Sequence, residues 1–195
     1  DVAGCLTTAT VNITQPPALG LTLTPSPVLC NGGSTGSISA TASGGTPTYN
    51  YSINGGAFGA SSSFTGLSAG TYSVTVRDLN NCTHTTTITI TQPTPLAMTF
   101  TTAPNTCVGA VGSVTIGVTG GTPAYTYSVN SVVTGPTATG LSSGVQNTQV
   151  SDANGCIITG TFNIGIITGP AAATVATSPA TCGNANGSAT VTTVT

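Results

Sequence analysis

Apolar and small polar residues alternate in short runs along the whole chain, and glycine or proline ends each run. In residues 18–93, LTLT (21–24) predicts a first strand that stops before Pro25 and Pro27. SISATAS (37–43) predicts a second, ended by Gly44 and Gly45. YNYSI puts Tyr49, Tyr51 and Ile53 on one face of a third, after which Gly55 and Gly56 turn the chain. TYSVTV puts Tyr72, Val74 and Val76 on one face of a fourth, TTITIT (86–91) carries Ile88 and Ile90 in a fifth, and Gln92-Pro93 closes the unit. No stretch holds a 3.6-residue apolar period, so helices should be nearly absent. The expectation is an all-β, antiparallel sandwich.

The same pattern is written more than once. GGTPTYNYSIN (Gly44–Asn54) returns as GGTPAYTYSVN (Gly120–Asn130), and DVAGC at Asp1–Cys5 returns as DLNNC at Asp78–Cys82 and DANGC at Asp152–Cys156. A cysteine followed by Gly-Ser recurs at Cys30, Cys107 and Cys182. The period is about 75 residues, the size of a small domain. The expected organisation is the end of one repeat (1–17), two full repeats (18–93 and 94–170) and the start of another (171–195), a window from a longer protein. Strand number and turn spacing suit an immunoglobulin-like sandwich of fibronectin III or PKD type. The bend GLSAGTY, which delivers Tyr72 into a strand, resembles the tyrosine corner of such sandwiches. In this reading Gly44, Gly45, Pro47 and their counterparts Gly120, Gly121 and Pro123 turn the chain. Tyr49, Tyr51, Ile53, Tyr72, Tyr125, Tyr127 and Val129 fill small cores. One place breaks the repetition: TYSVTV becomes VQNTQV, so Gln146 and Thr148 stand where Tyr72 and Val74 would. Either that strand shifts register or its face meets polar partners.

Charge narrows the functional classes. Arg77 is the sole Lys or Arg, the acidic residues are Asp1, Asp78 and Asp152, and charged residues make up 2% of the chain. One arginine cannot neutralise a phosphate backbone or hold an anionic membrane surface, so no nucleic-acid partner is expected. Hydrophobic residues reach 38% in alternating runs, which argues for folded domains, and no apolar run approaches the roughly 20 residues of a membrane span, so no membrane insertion is expected. N-glycosylation-type triplets at Asn12, Asn50, Asn81 and Asn186 are what Ser- and Thr-rich sequence produces by chance.

Catalytic, metal and cofactor sites are not expected. His84, the one histidine, is matched in the other repeats by Thr7 and Ile158, and Glu and Lys are absent. The three Asp residues occupy one slot in separate repeats, too far apart for a carboxylate pair, and each suits a turn role better than calcium, which takes six to eight oxygens.

Six cysteines at matched positions, without CxxC pairs, favour disulfides and an oxidising compartment. With immunoglobulin-like topology, Cys30 would face the next repeat and Cys82 and Cys156 the preceding one. That favours a bridge from Cys30 to Cys156 across the junction, with Cys5 and Cys82 reaching back and Cys107 and Cys182 reaching forward. The alternatives are within-repeat pairs (Cys30 with Cys82, Cys107 with Cys156) and sequential pairs (Cys5 with Cys30, Cys82 with Cys107, Cys156 with Cys182).

Taken together, Cys30 with its Gly-Ser, Gly44–Ser52, Gly66–Gly70, Asp78–Cys82 and Ile90–Pro93 resemble the SprB-type repeat of giant cell-surface adhesins of gliding bacteria. The resemblance implies export through the type IX secretion system and display on the bacterial cell surface, gripping a substratum, other cells or prey. It transfers no catalytic residue. The expected function is the structural shaft of an extracellular filament, homo-oligomeric through lateral packing of near-neutral chains. The rival expectation is a glycan- or surface-binding module, with ice binding by Thr-rich faces a distant third.

Overall fold

The computed structural model describes residues 4, 7–105, 111–169 and 173–194, and no helix occurs among them. The chain divides into two compact units, Asp1–Pro93 and Thr94–Thr195.

In the first unit, β1 (Gly20–Ser26), β2 (Gly36–Ser43) and β4 (Ser63–Leu67) form one antiparallel sheet in the order β1-β2-β4. β3 (Asn50–Ile53), β5 (Gly70–Arg77) and β6 (Thr83–Ile90) form the other, in the order β3-β5-β6. This is the A-B-E and C-F-G arrangement of an immunoglobulin-type sandwich without strand D. Alternation along the strands sends Ile38 and Ala40 of β2 and Val74 and Val76 of β5 inward, where they pack with Leu21, Val28, Tyr51 and Ile90. After Pro25 and Pro27 the chain leaves β2 for the other sheet, where Val28 N–H donates to Thr91 C=O at 2.9 Å.

The second unit repeats the plan. β7 (Ala97–Ala103), β8 (Gly112–Thr119) and β11 (Thr137–Leu141) form the sheet β11-β8-β7. β9 (Thr126–Val129), β10 (Val132–Thr134), β12 (Gly144–Ser151) and β13 (Ile157–Ile164) form the sheet β10-β9-β12-β13. Val114, Ile116, Val129, Ala138, Val150, Phe162 and Ile164 make the core, with the Phe100 and Phe162 rings 5.2 Å apart. The added strand β10 follows a two-residue turn in which Asn130 and Ser131 both have positive φ. In the first unit the same edge carries only a bridge between Tyr51 and Gly59. A last hairpin pairs β14 (Ala173–Ser178) with β15 (Ser188–Val194).

Two features differ from the sequence expectation. β4 and β11 are strands that the periodicity does not announce: Gly66 and Gly140 adopt positive φ beside a register shift, which breaks the alternation. Phe64 and Leu67 nonetheless pack on the core. The Gln146 question is settled in favour of polar partners, because β12 pairs with β13 over eight residues without a shift. Tyr72 Oη donates to Ser68 C=O at 2.9 Å, the bond of a tyrosine corner. Gln146 Nε2 donates to the matching Ser142 C=O at 3.0 Å, while its Oε1 accepts from Asn130 Nδ2 at 2.6 Å. Thr148 Oγ1 donates to Ser128 C=O at 2.9 Å. The amide thus takes over the tyrosine's partner, and both polar side chains are buried with their hydrogen bonds satisfied.

Candidate functional site

The most heavily constructed part of each unit is one pole, where the GGTP turn meets the loop between the last two strands. Gly44 and Gly45 have φ of 66° and 61°, and Gly120 and Gly121 have 74° and 62°. Tyr49 Oη closes the turn by donating to Gly44 C=O at 2.6 Å, and Tyr125 does the same to Gly120 at 2.7 Å. Gly45 and Gly121 leave room for a carboxylate: a Cβ on either would stand 2.8 Å from Oδ2 of Asp78 or Asp152.

That carboxylate ties the two loops together. Asp78 Oδ2 accepts from Thr46 N–H at 2.9 Å, and Oδ1 accepts from Asn80 N–H at 3.0 Å and Cys82 N–H at 2.8 Å. Asp152 accepts from Thr122 at 2.8 Å, Asn154 at 2.9 Å and Cys156 at 2.9 Å. Asn80 and Asn154 add a side-chain bond to the threonine hydroxyl, 2.9 Å in each case. Sequence reasoning missed these Asn–Thr pairs, although their fixed offset from each Asp was a usable signal. Both carboxylates face donors rather than the oxygen cage that calcium takes. Among the described residues, no three of His, Cys, Asp and Glu come together as a metal site. Asp1 lies outside the described residues.

The Thr46 N–H is the main cause that holds the Asp78 carboxyl below its usual value; burial opposes it, and the Cys82 and Asn80 N–H groups add to the lowering. For Asp152 the order is Thr122, opposed by burial, then Cys156, Asn154 and Gly155. A carboxyl whose folded pKa is depressed contributes stability above its unfolded value near 4, and that contribution is lost as pH falls through the folded value. Thermal unfolding should therefore be flat between pH 7 and about 5 and drop below about 4. Asp1 is the only other acidic side chain, so the double variant Asp78→Asn, Asp152→Asn should abolish most of that drop while lowering the midpoint at neutral pH. An unchanged acid profile in the variant would refute the assignment.

The cysteines divide by loop. Cys30 lies between β1 and β2, and Cys82 and Cys156 each stand four residues after an Asp of the clamp. Cys30 and Cys156 are each disulfide-bonded, whereas Cys82 and Cys182 are exposed free thiols. The pairs Cys30 with Cys82, Cys156 with Cys182 and Cys82 with Cys107 are therefore not formed. The first is barred by geometry: Cys30 lies in the loop that precedes β2 and Cys82 beside the loop that follows it, and the eight-residue strand between them spans roughly 25 Å, against the 4.4–6.8 Å between Cα atoms that a disulfide spans. Cys5 and Cys107 lie outside the described residues.

Core and surface positions complete the picture. Tyr51 and Val129 are buried, while Tyr49, Ile53, Tyr72, Tyr125 and Tyr127 are half-buried against the cores. Pro47 and Pro123 stand in exposed turns. His84 is exposed, and Arg77 lies 4.3 Å over the Phe58 ring. On the outer face of β9, β12 and β13 is a neutral cleft of about 300 Å³ lined by Ser128, Ser131, Asn147, Gln149, Thr159 and Thr161. At the matching place in the first unit, Thr75 and Thr85 bond each other through their hydroxyls at 2.8 Å.

Residues 22–58 and 99–134 each match the family model of the SprB repeat. The two matched segments, one in each unit, are similar to the SprB repeat. Each matched span runs from the first strand of a unit through the GGTP turn and past its third strand, in the second unit to the end of β10. No curated protein matches the chain by sequence. Among solved structures, a C-terminal 282-residue fragment of intimin in complex with the intimin-binding domain of the translocated intimin receptor is similar at 12% identity and a TM-score of 0.41, over 83% of this chain and 67% of that one. Sidekick-1 immunoglobulin domains 1–5 are similar at 14% identity and 0.35, over 85% and 42%, and surface-layer protein SbsC domains 4–9 at 16% and 0.33, over 85% and 33%. This chain spans less than half the length of the latter two.

Proposed function

We propose that the two units form part of the shaft of an extracellular filament or adhesin on a bacterial cell surface, attaching the cell to a substratum, other cells or prey. The observation that carries this reading is the recurrence, in tandem, of two segments similar to the SprB repeat, in units with immunoglobulin-type topology and the same Asp-centred loop clamp. A repeat that ties its loops with backbone-directed carboxylates spends its few charged groups on holding shape. The role is structural rather than catalytic, and type IX secretion and gliding motility are the setting it implies.

Within this reading a staple joins Cys30 to Cys156 and makes consecutive repeats a stiffer rod. The bonded state of these two cysteines and the free state of Cys82 and Cys182 support it. Mass-spectrometric mapping of the unreduced chain is expected to recover the Cys30–Cys156 peptide pair; Cys30 joined to Cys5 would overturn the staple. Chains this poor in charge also associate laterally, with little dependence on salt because there is little to screen. Electron microscopy and sedimentation of the native protein are expected to show laterally packed fibres. Monomers alone across a wide concentration range would refute the assembly.

The neutral cleft on β9, β12 and β13 favours one second reading, a module that binds uncharged glycan through amides and hydroxyls. NMR titration with maltohexaose and cellohexaose tests it. Shifts confined to the Asn147 and Gln149 side-chain amides would support glycan binding, and their absence would argue against it.

A further inference from the structure

Each sandwich ends in an eight-residue strand at the margin of a sheet. β6 closes the order β3-β5-β6, and β13 closes the order β10-β9-β12-β13. In an antiparallel ladder, successive residues turn their backbone groups alternately toward and away from the partner strand. Thr91 C=O accepts from Val28 N–H, and Gly165 C=O from Asn105 N–H, both on the side away from β5 and β12. Stepping back by twos, Thr83, Thr85 and Thr87 in β6 and Ile157, Thr159 and Thr161 in β13 turn their N–H and C=O outward. All six are exposed, and among the described residues no backbone group outside the sheet pairs with them.

Soluble proteins usually blunt such margins with proline, bulges, short strands or charge. Most other margins here are blunted. β1 contains Pro25, and β4 and β11 are five residues long and bulged near Gly66 and Gly140. β3 is covered at Tyr51, which exchanges two hydrogen bonds with Gly59 at 2.7 and 2.9 Å. β10 has three residues. β7 is also bare, in one unit only, since its counterpart β1 carries the proline, and the two-stranded hairpin of β14 and β15 carries a register shift between Thr174 and Val175. β6 and β13 contain no proline, no register shift and no Lys, Arg, Asp or Glu.

We infer that β6 and β13 are the strands through which a second copy of this chain adds on, antiparallel edge to edge. This rests on the lateral assembly proposed above and names its contact. A second copy is the occupant because a strand paired antiparallel with itself is self-complementary about a twofold axis. No like charges then meet across the new ladder, whereas a charged partner strand would find no counter-charge.

The test compares the whole chain with Thr87→Lys, Thr161→Lys and with Thr87→Pro, Thr161→Pro. The first pair of changes adds like charge to both strands of the new ladder. The second removes an outward N–H that the unit's own sheet does not use. Far-UV circular dichroism and the unfolding midpoint check that the lysine variant keeps its fold. By sedimentation the parent chain is expected to assemble, with the dissociation constant raised about tenfold or more in both variants. A parent that assembles alongside variants that assemble equally well would overturn the edge contact and leave lateral assembly standing. A parent that stays monomeric would overturn both.

Discussion

Gly44→Ala and Gly120→Ala are each expected to destabilise their own unit by about 3 kcal/mol or more, an unusually large effect for one added methyl group. Two costs combine. At φ of 66° and 74° an alanine meets the left-handed penalty of roughly 1–2 kcal/mol. In addition, the new Cβ points into the backbone of the preceding segment, with the carbonyl carbon of Ala18 at 2.9 Å for Gly44 and that of Pro95 at 2.7 Å for Gly120. Backbone there cannot rotate away as a side chain could. The neighbouring Gly45 N–H donates to Pro17 C=O and Gly121 N–H to Thr94 C=O, so displacement also loosens the clamp. Gly55→Ala separates the two costs: φ is 72° but nothing stands within 4 Å of the new Cβ, so a loss of about 1 kcal/mol is expected. Urea titrations of the three variants measure the difference. If Gly44→Ala costs no more than Gly55→Ala, the close approach is not what requires glycine.

The phrase GGTPxYxYS is therefore repeated because four of its letters have separate physical tasks. The first glycine admits a neighbouring backbone, the second admits the carboxylate, the threonine supplies an N–H to it, and the first tyrosine hydroxyl closes the turn. Much of this was legible in the sequence as repetition, turn chemistry and two-residue alternation. The acceptor role of Asp78 and Asp152 was legible too, since an Asp followed by small polar residues and Cys at fixed spacing suits a hairpin turn. The donor from the distant GGTP turn was not, because only the closed sandwich brings Thr46 to Asp78. β4 escaped notice for a local reason: SFTGL has two apolar side chains and a bulge between them, so no period-two signal survives. Gln146 was ambiguous because a buried amide is acceptable only if its partners are present, and Asn130 and the Ser142 carbonyl are supplied by other segments.

Ile38→Ala is expected to cost about 3–4 kcal/mol and to unfold the first unit selectively. Ile38 is fully buried at the centre of β2, paired with Pro25 of β1 on one side and Phe64 of β4 on the other. A unit of about 75 residues at roughly 0.05–0.15 kcal/mol per residue has only about 4–11 kcal/mol in total, so one cavity removes a large share. The matching residue, Val114, is also buried, but Val114→Ala deletes fewer carbons and should cost about 2 kcal/mol. Calorimetry of the Ile38 variant should show one transition moved down and one left near its original temperature, with the order reversed for Val114. A single transition shifted as a whole would mean that the two units melt as one cooperative body. The distinction bears on the proposed shaft: with Cys30 stapled to Cys156, residues 31–155 lie off the path of tension, so a repeat that melts independently releases little slack.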